Sequence, residues 1–467
     1  MKTLFLNPPS FSRFDSAGAR FAATRVTQSL WYPAWLGYAA AYVSKSKLID
    51  CPADNISLNQ LLGKIKQYEL IVIYTSTPSI LNDIRVAETI KKINKKCKII
   101  FTGPHVSVLP EETLKMSNVI DAVTIGEFDQ IIADVTNKIN WNLIKGLCFK
   151  QGNNIVNNQP RNPLKDLDRL PYVSKIYKRD LPIFSYRLPF CLHPYISIYA
   201  GRGCPNLCTF CLWPQTFTGR IFRKRSVDNV IGEVIWIKNK MPQVKEIFFD
   251  DDTFTINHVW VEEFCRKIMP LKITWSVNAR ADVPYELLLK MKNAGCRLLV
   301  IGYESGNDQI LKNIKKGISV LQMKKFTEAV KQAGLMIHGT YILGLPGETK
   351  QTIKETIKFA CELDSDTIQV SLATPFPGTE FYRFCQQKKF INVSSFIDPN
   401  GYQLPIISYP NLSSKTIERE SIRFLVSFYI RPKYFLKISK KFVSSTDEAK
   451  RITRSGWEFL KFLVNHH

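Results

Sequence analysis

Short hydrophobic runs alternate with amphipathic stretches along the first part of the chain. Strand-like runs occupy residues 3–6, 48–51, 70–74, 98–102 and 120–124. Apolar positions recur at near-helical spacing in the intervening stretches, residues 34–44, 57–67 and 79–94. This alternation predicts a doubly wound parallel sheet, in which ligands bind beyond the C-terminal ends of the strands. We place this α/β domain at residues 1–145.

The alternation resumes on a longer period after residue 190. Predicted strands are residues 195–199, 245–249, 273–277, 298–303, 336–343 and 367–372. Predicted helices are residues 227–240, 259–269, 284–294, 320–333 and 350–363. Strand–helix units in this number predict an open, partial (β/α)6 barrel of the TIM type in residues 191–405. Functional side chains of such barrels lie at the C-terminal ends of the strands.

Two segments break the alternation. Gly, Asn and Pro repeatedly interrupt residues 146–190, which predicts an ordered connector between the domains. Residues 406–467 mix bulky apolar side chains with Lys and Arg and predict a helical tail. Two interpretations of the tail stay open: an amphipathic helix on an anionic membrane surface, or a helix packed on the barrel. The residues on which the membrane interpretation rests are Phe428, Tyr429, Tyr434, Phe435, Leu436, Trp457, Phe459 and Phe462 with Arg431, Lys433, Lys437, Lys440, Lys441 and Lys461.

Composition and charge limit the class of protein. The chain has 467 residues, of which 45% are hydrophobic and 22% charged, as in globular proteins of more than one domain. Its formal net charge of +24 would attract polyanions, but the lysines are scattered and no RNA-binding signature is visible, so we expect no nucleic-acid partner. The 11 cysteines form no disulfide framework, and neither a signal peptide nor a membrane span is visible. We therefore expect a cytoplasmic location, or binding at the inner membrane surface.

The candidate chemistry begins with three cysteines that follow the first predicted barrel strand. Cys204, Cys208 and Cys211 form a C-x3-C-x2-C run. Three thiolates on one loop can hold three irons of a [4Fe–4S] cluster and leave the fourth iron open for a ligand. The alternatives are a zinc site or a chance run. A zinc site would need a fourth ligand at short spacing, and the next candidates, His258 and Cys265, are distant in sequence.

The cysteine run resembles the fingerprint of the radical S-adenosylmethionine (SAM) enzymes, which also have an aromatic residue, here Phe210, before the last cysteine. The resemblance implies that SAM chelates the open iron and is cleaved to a 5′-deoxyadenosyl radical, which removes a hydrogen atom from the substrate. It also implies an external electron donor such as flavodoxin or ferredoxin. The three cysteines would be both metal ligands and catalytic residues.

Polar and small residues end the next four predicted barrel strands in the order found in that family. The resemblance implies that the acidic cluster at the second strand receives the SAM ammonium, and that the third strand contacts its carboxylate and ribose. It implies ribose contacts at the fourth strand and adenine contacts at the fifth. The alternative for the acidic cluster is a metal-binding or helix-capping group. With Phe210, the predicted cofactor-binding residues are Asp250, Asp251, Asn278, Arg280, Glu304, Gly344 and Pro346.

The first domain resembles the cobalamin-binding, Rossmann-like domain that precedes the barrel in one large radical SAM subfamily. The residues that carry this resemblance are Asn7-Pro8-Pro9, Thr75-Ser76-Thr77, Gly103-Pro104-His105 and Gly126-Glu127-Phe128. The D-x-H-x-x-G motif that supplies a histidine to cobalt elsewhere is missing, because Gly103 precedes His105 and Val108 follows it. Two alternatives follow: cobalamin binds without that histidine, or the domain has kept the fold and lost the ligand.

Longer runs up to about residue 380 resemble one subgroup, the hopanoid-associated enzymes of the bacteriohopanetetrol cyclitol ether type. This resemblance implies a radical ring contraction of a glucosaminyl headgroup on a hopanoid lipid. A cobalamin-dependent radical SAM methyltransferase acting on another lipid or small molecule is the alternative, and a non-catalytic iron–sulfur or nucleic-acid-binding protein is a third hypothesis. The runs are residues 1–11, 31–33, 177–181, 208–216, 248–254, 337–340 and 367–372.

Overall fold

The computed structural model of the protein describes residues 1–10, 29–392, 395–398 and 402–465. Phe11, at the end of the first run quoted above, lies outside the described residues, as do the side chains of Lys440 and Lys441. Among the described residues, no helix is both long enough and apolar enough to cross a membrane. The chain forms an N-terminal α/β domain, a parallel half-barrel and a helical tail.

The N-terminal domain is built on a seven-stranded sheet of order β2-β1-β3-β4-β5-β6-β7. Strands β1 to β5 are parallel, as predicted, and β6 and β7 extend the sheet as an antiparallel pair. The strands are β1 (Thr3–Asn7), β2 (Ser46–Asp50), β3 (Leu70–Tyr74), β4 (Lys98–Thr102), β5 (Ala122–Thr124), β6 (Leu147–Gln151) and β7 (Asn154–Asn157). The helices are α1 (Ala34–Ala41), α2 (Cys51–Asp54), α3 (Leu58–Leu62), α4 (Ile80–Ile93), α5 (Pro104–Val108), α6 (Pro110–Met116) and α7 (Asp129–Thr136).

Continuous apolar strands fit this sheet because helices cover both of its faces. In β3, Leu70 and Val72 join the core that also contains α1 and α7, whereas Ile71 and Ile73 join a second core under α4 and α6. The alternation of side chains along a strand thus divides one hydrophobic run between two cores. Ser57 begins α3 with a reciprocal capping box to Gln60, as the local sequence favours.

The hairpin of β6 and β7 lies in the stretch that the sequence assigns to the connector. Its turn contains Gly152 at φ +62°, so the Gly-Asn cluster that interrupts the apolar pattern is the turn of a hairpin. The sheet therefore continues beyond the predicted boundary at residue 145, through Asn157. Helix α8 (Val173–Asp180) follows the hairpin and packs against α1 and β2.

The second domain is a six-stranded parallel sheet of order β15-β14-β13-β12-β11-β8. Its first and last strands are unpaired with each other in the described structure, so the barrel is open, as predicted. These strands are β8 (Tyr195–Ile198), β11 (Glu246–Phe249), β12 (Trp275–Ala279), β13 (Cys296–Glu304), β14 (Met336–Leu343) and β15 (Thr367–Leu372). A short antiparallel pair, β9 (Gly201–Arg202) and β10 (Arg223–Lys224), follows β8.

Helices cover the outer face of the half-barrel, and three further helices form the tail. The barrel helices are α9 (Leu212–Thr216), α10 (Val227–Lys240), α11 (His258–Ile268), α12 (Tyr285–Asn293), α13 (Asp308–Asn313), α14 (Val320–Gln332), α15 (Lys350–Leu363) and α16 (Glu380–Gln387). The tail helices are α17 (Ser414–Tyr429), α18 (Pro432–Ser444) and α19 (Thr446–Asn465). Helix α17 packs against β15 and α15, which shows that the tail belongs to the body of the second domain.

The inner surface of the tail supports the second of the two interpretations given above. Phe424 and Phe428 are fully buried, and Tyr434 and Phe462 are nearly so. The Tyr429 hydroxyl donates to the carbonyl of Ile368 and accepts from its N–H, both at 2.8 Å, so it completes the free edge of β15. These aromatics pack on the barrel, whereas Phe435, Leu436 and Trp457 remain exposed.

Candidate functional site

The three cysteines lie on the loop between β9 and β10, directly beyond the C-terminal end of β8. Gly203 enters this loop at φ +86°, and a Cβ there would meet the Ile221 carbonyl oxygen at 2.3 Å. Only glycine fits where the two arms of the loop approach so closely. The pairing of β9 with β10 closes the base of the loop, so the cysteines project from a fixed position.

Side-chain and backbone hydrogen bonds hold the cysteine loop to the rest of the barrel. The Gln215 amide donates to the carbonyl oxygens of Cys208 at 3.3 Å and Cys211 at 2.7 Å. Its oxygen accepts the Glu380 N–H at 2.9 Å, at the start of α16. The Thr209 N–H donates to the Ile314 carbonyl at 3.0 Å, which ties the loop to the segment after α13.

The donor set suits an iron–sulfur cluster. Cys204 and Cys208 are buried and Cys211 is half-buried. The Asn206 amide donates to Cys204 Sγ at 3.1 Å. Burial raises the pKa of Cys208, while the nearby Lys316 ammonium acts to lower it. Among the described residues, no three His, Cys, Asp or Glu side chains are close enough together to hold a single metal ion.

Asp250 and Asn278 bring the ends of β11 and β12 together. The Asn278 amide donates to Asp250 Oδ1 at 3.0 Å and to the Asp251 carbonyl oxygen at 2.9 Å. Asp250 is 5% exposed and Asn278 is half-buried at the inner edge of the half-barrel. The structure therefore places both predicted residues side by side, where a carboxylate and an amide could share one polar ligand.

Asp251 has a different environment from Asp250. Its carboxylate accepts the backbone N–H groups of Ala200 and Gly201, between β8 and the cysteine loop. Burial raises the pKa of Asp251 to about 8, against the effect of these two backbone donors, and the neighbouring Asp250 and Asp252 raise it further. The Asp251 carboxylate is thus directed at the backbone that enters the cysteine loop, and not at open space.

Glu304 ends β13 in a left-handed conformation, φ +65°, and forms a buried ion pair. Lys316 Nζ lies 2.8 Å from Glu304 Oε1, and both side chains are 9% exposed. Burial by itself would lower the pKa of Lys316, but the Glu304 carboxylate raises it above its usual value. Arg280 reaches the same segment, because its Nη2 donates to the Lys316 carbonyl at 3.1 Å. A Cβ at Gly302 would meet Glu304 Oε1, so a glycine is needed to admit this pair.

The turn after β14 contains Gly344 and Pro346. Gly344 has φ +91°, its N–H donates to Glu348 Oε2, and its carbonyl accepts the Tyr409 hydroxyl at 2.8 Å. The Pro346 carbonyl accepts from Asn313 Nδ2 at 2.9 Å. Burial raises the pKa of Glu348 to about 8, although backbone N–H groups act to lower it. Hydrogen bonds to Glu348, Tyr409 and Asn313 thus hold the turn that is predicted to contact adenine.

Phe210 and the loop it belongs to complete this edge of the barrel. The ring is half-buried and packs against the main hydrophobic core. Together with the four strand ends, the cysteine loop forms one continuous C-terminal edge from β8 to β14. The sequence-predicted site residues therefore fall on a single edge, where the Asp251 carboxylate accepts the backbone N–H groups that lead into the cysteine loop.

The two domains meet directly behind the cysteine loop. Arg202 donates to Asp129 Oδ2 at 2.7 Å and to Asp129 Oδ1 at 3.1 Å, and Arg223 pairs with Glu127. The Arg202 guanidinium also lies over the Trp35 ring, 4.2 Å from its centroid. All of these side chains are buried, so the edge of the N-terminal domain is docked onto the base of the loop that carries the cysteines.

The docked edge is the one at which the sequence predicts cobalamin. Gly103 has φ +117°, and a Cβ there would meet the Thr75 carbonyl oxygen at 2.4 Å. The backbones after β3 and β4 therefore approach closely at the sheet edge. His105 is buried, its Nδ1 lies 3.1 Å from Thr77 Oγ1, and burial lowers its pKa to about 4. A glycine turn of this kind would let a cofactor approach the backbone at this edge.

Sequence reasoning missed Lys316, Arg202 and Glu348. Lys316 lies in a run of ordinary appearance after α13, and its partner Glu304 is 12 residues away in sequence. Arg202 lies between Gly201 and Gly203, directly before the cysteine motif. This position is only a weak sequence signal that the loop holds the arginine side chain in place. Glu348 directly follows the Gly-Leu-Pro-Gly sequence, and it is the only carboxylate in residues 344–349.

Comparisons with known proteins agree with this geometry. Residues 198–360 match the family described as the radical SAM superfamily, and residues 22–136 match the B12 binding domain. An uncharacterized methyltransferase of Pyrococcus horikoshii is 30% identical over 449 residues, which cover 94% of each chain. An anaerobic magnesium-protoporphyrin IX monomethyl ester cyclase of Rubrivivax gelatinosus is 26% identical, over 82% of this chain and 70% of that protein.

Two solved structures share the fold. The radical SAM methyltransferase TsrM from Kitasatospora setae, with cobalamin and a [4Fe–4S] cluster bound, superposes with a TM-score of 0.69 at 13% identity and covers 100% of this chain and 99% of its own. The cobalamin-dependent enzyme OxsB, with aqua-cobalamin and SAM bound, has a TM-score of 0.68 at 15% identity, over 93% and 70% of the two chains.

The comparisons settle the predictions at the level of the family. The predicted fold class is confirmed, and the two family matches bear out the predicted cofactor classes: a radical SAM cluster, SAM and cobalamin. The relatives reported above are described as a methyltransferase and a cyclase, so the closer resemblance to hopanoid enzymes stays a prediction. The chain belongs to the radical SAM superfamily, among the members whose barrel follows a B12-binding domain.

Proposed function

We propose that this protein is a cobalamin-dependent radical SAM enzyme that modifies a lipid or an apolar small molecule. The observation that carries the proposal is the docking of Arg202 on Asp129. It sets the predicted cobalamin edge directly behind the loop of Cys204, Cys208 and Cys211. Two cofactor sites held close together would allow their chemistry to meet at a single substrate position.

The residues of the chain would have the following roles. Cys204, Cys208 and Cys211 would hold three irons of the cluster. Asp250 and Asn278 would receive the polar end of SAM, and the Glu304–Lys316 pair with Arg280 would bind its ribose and carboxylate. When bound, the cluster and SAM supply radical chemistry, and cobalamin supplies a carrier for methyl groups. Gly344 and Pro346 would shape the surface for the adenine ring, because a glycine lets backbone lie close to a flat ligand.

Asp251 would act on the cysteine loop and not on SAM. Its carboxylate holds the N–H groups of Ala200 and Gly201, which precede Cys204 by a few residues. A group that fixes the path of the loop affects the separation of the three thiols, and so the fit of a cluster. Phe210 would shield the cluster from water on the side of the barrel core.

Methyl transfer is the first candidate reaction. The relative from Pyrococcus horikoshii, matched over 94% of each chain, is described as a methyltransferase, and TsrM shares the complete fold.

Ring contraction of a glucosaminyl hopanoid headgroup is the second candidate. It is favoured by the long runs of residues that resemble hopanoid-associated enzymes, which include loop positions such as those of residues 208–216. Either reaction would take electrons from a donor such as flavodoxin or ferredoxin.

One labelling experiment separates the two reactions. Anaerobically reconstituted protein would be incubated with reductant, cobalamin, SAM carrying a deuterated methyl group, and either a glucosaminyl hopanoid or a total bacterial lipid extract. Methyl transfer places the label in a lipid product, whereas ring contraction changes the hopanoid headgroup without adding label. The Cys204→Ala variant is the control. Absence of 5′-deoxyadenosine, of labelled methylcobalamin and of any product from the intact protein would refute the proposed function.

A further inference from the structure

A cavity of about 400 Å³ lies between the half-barrel and the tail helices. Its walls are mostly apolar side chains from three parts of the chain: Trp31 and Phe190 before the barrel, Ile368 and Val370 of β15, and Leu425 and Phe459 of the tail. A volume of this size suits a small molecule or part of a larger one, and pockets that bind ligands are commonly apolar with a few polar groups. His338, Gln369 and Arg451 supply polar groups to this cavity.

The cavity lies toward the opposite end of the strands from the cysteine loop. His338 is near the start of β14 and lines the cavity, whereas Gly344 follows the end of the same strand. At a rise of roughly 3.3 Å per residue, the strand advances about 20 Å between these two positions. On the inner face of β14, Thr340 and Ile342 are half-buried, whereas the alternate residues Tyr341 and Leu343 are fully buried under the helices. The inner face of β14 therefore connects the cavity to the cofactor edge along side chains that are only half-buried.

Large apolar side chains surround the mouth of the cavity and face solvent. Ile430, Phe435 and Leu460 line the cavity, yet their exposed fractions are 53%, 59% and 55%. On α18, Phe435, Leu436, Phe442 and Val443 fall at helical spacing on one exposed face. On α19, Trp457, Leu460 and Val464 do the same. We call these seven residues of α18 and α19 the apolar rim.

The apolar rim is not needed for packing of the tail, because the opposite face of each helix is already buried. Tyr434 of α18 and Phe462 of α19 pack inward, and Tyr434 donates to the Asp366 carbonyl at 3.2 Å. Lys433, Lys450 and Lys461 are exposed on the same helices. A helix with a solvent-facing apolar stripe flanked by lysines is typical of proteins that lie in the interface of an anionic bilayer.

We propose that the apolar rim seats on an anionic bilayer and that the cavity takes the apolar part of a lipid substrate from it. The reactive end of the lipid would extend along the inner face of β14 to the cofactor edge, which requires an elongated molecule. This inference rests on the proposed function only for the reaction, since lipid binding itself needs no catalysis. A second copy of the chain is a weaker occupant for the rim, because each copy carries a formal net charge of +24 and the copies repel one another.

The bilayer contact is tested by sedimentation of the full chain with vesicles. Binding is expected with mixed phosphatidylglycerol–phosphatidylcholine vesicles, and weaker binding with phosphatidylcholine alone or at high salt. The double variant Leu436→Glu with Trp457→Glu should weaken binding to the anionic vesicles by roughly tenfold or more, since it removes apolar contacts and adds repulsion. The matched control is Leu143→Glu with Val259→Glu, two side chains that are 74% and 77% exposed elsewhere.

Equal binding by the rim variant and its control would overturn the bilayer contact. A concentration-dependent dimer of the intact protein that the rim variant abolishes, without vesicle binding, would also overturn it and assign the rim to a second copy. Measuring size by light scattering in the same buffers separates these outcomes.

The cavity is tested with the fluorescent fatty acid cis-parinaric acid, in protein without added cofactors. Gly456 lines the cavity, is exposed, and has no atom within 4 Å of an added Cβ, so Gly456→Trp has room to introduce a ring at the mouth. This variant should weaken binding of the probe by about tenfold relative to Gly63→Trp, a control at the end of α3 with the same helical backbone. Equal affinity in both variants, or no binding by the intact protein, would refute the lipid cavity.

The cavity test is independent of the proposed function. Cleavage of SAM by reconstituted protein without lipid reports on the cluster and SAM sites alone. If the probe binds and SAM cleavage fails, the proposed function is wrong and the lipid cavity stands. If SAM cleavage proceeds and the probe does not bind, the lipid cavity is wrong and the proposed function stands.

Discussion

Arg202, two residues before the first cysteine of the cluster motif, binds both carboxylate oxygens of Asp129 through its guanidinium group. Both side chains are almost fully buried, and Glu127 lies 3.4 Å from the same guanidinium. Burial by itself would lower the pKa of Arg202, but the two carboxylates raise it. The arginine therefore stays charged at all accessible pH values, and the N-terminal domain is held to the cysteine loop by a buried charge pair.

Removal of one partner from this pair should destabilise the protein strongly. The Asp129→Ala variant leaves the Arg202 charge buried with only Glu127 nearby, and breaking a buried ion pair typically costs about 3–5 kcal/mol. We expect a clear loss in the free energy of unfolding by urea titration and a lower cobalamin content after reconstitution.

The control for Asp129→Ala is Glu262→Ala, which breaks the Lys290–Glu262 pair on the surface. Both of its side chains are about half exposed, so the loss should be below about 1 kcal/mol. Similar losses in the two variants would show that the Arg202–Asp129 pair does not hold the domains together.

The Glu304→Gln variant should bind SAM less tightly. A hydrogen bond that involves a charged group contributes about 1.5–3 kcal/mol, so the dissociation constant for SAM should rise by roughly tenfold to a hundredfold. Loss of the Glu304 charge also removes the main partner of the buried Lys316 ammonium, 2.8 Å away. Calorimetric titration of reconstituted protein with SAM measures the effect.

Glu362→Gln is the control for SAM affinity, since Glu362 pairs with Lys324 on the exposed surface of the barrel helices. Unchanged SAM affinity in Glu304→Gln would mean that the Glu304–Lys316 pair does not bind SAM and has a structural role instead.

Most of the framework could be predicted because it depends on local periodicity. The bounds of β3, β4, β14 and β15 agree with the predicted strands to the residue. Strand β3 is a continuous apolar run, and in β15 the apolar residues alternate with polar ones, so both patterns are typical of strands. The hairpin of β6 and β7 was assigned to the connector. Its two short strands carry Asn and Lys at the exposed sheet edge, which hides the strand period.

The candidate site could be predicted only in part. The cysteines and the strand-end residues follow from motif spacing and from the rule that barrel sites lie at strand C-terminal ends. The partners of these residues could not be predicted, because they depend on tertiary contacts. Lys316 meets Glu304 only when the segment after α13 folds back over β13, and Asp251 meets the Ala200 and Gly201 N–H groups only when β11 pairs with β8.

The packing of the tail could also be predicted only in part. Its composition is compatible with either a packed or an interfacial helix, and the structure uses the two faces of the helices differently. Deletion of the tail would remove the buried Phe424 and Phe428 side chains from the core and uncover the edge of β15 that Tyr429 caps. Single substitutions on the apolar rim are therefore a better test of membrane contact than truncation.

Substitution of any one motif cysteine should abolish cluster binding. Cys204→Ala, Cys208→Ala or Cys211→Ala leaves two thiolates, which is too few for a cube with one open iron. After anaerobic reconstitution, iron and sulfide content and the visible absorption of the cluster should fall to background, and SAM cleavage should stop. Cys361→Ala, a half-buried cysteine outside the motif, should retain both. A full iron content in a motif variant would contradict the assignment.

The Gly103→Ala variant should lose cobalamin. Gly103 has φ +117°, where a Cβ is strained, and the added atom would lie 2.4 Å from the Thr75 carbonyl oxygen. The turn after β4 must then shift and disturb the predicted cobalamin edge. The absorption spectrum of protein purified after incubation with hydroxocobalamin measures the bound fraction.

The control for Gly103→Ala is Gly63→Ala, at a position with helical φ, where alanine is usually neutral or stabilising by about 0.4–1 kcal/mol. Equal cobalamin content in the two alanine variants would place the cofactor elsewhere or show that the domain has lost it.

The last prediction concerns the pH dependence of stability and the Glu348 carboxyl group. Glu348 is 3% exposed, and Oε1 has no hydrogen-bond partner among the described residues. Burial raises the pKa of Glu348 in the folded protein to about 8, from an ordinary value of 4.5. Between these two values the folded state holds a proton that the unfolded state has released. The free energy of unfolding should therefore fall as the pH rises through this window, by at most about 1.4 kcal/mol per pH unit from this one group.

Glu348→Gln mimics the protonated carboxyl group at every pH, because its amide oxygen can still accept the Gly344 N–H. Near pH 5 the variant and the parent protein should have similar melting temperatures. Toward pH 8.5 the variant should become the more stable of the two, since it has no proton to lose. Thermal unfolding at fixed scan rate from pH 5 to pH 8.5 measures the difference, with Glu362→Gln as the exposed control. A difference between Glu348→Gln and the parent that does not grow with pH would mean that Glu348 is already ionised in the folded protein, and that the turn after β14 holds a buried negative charge beside the predicted adenine surface.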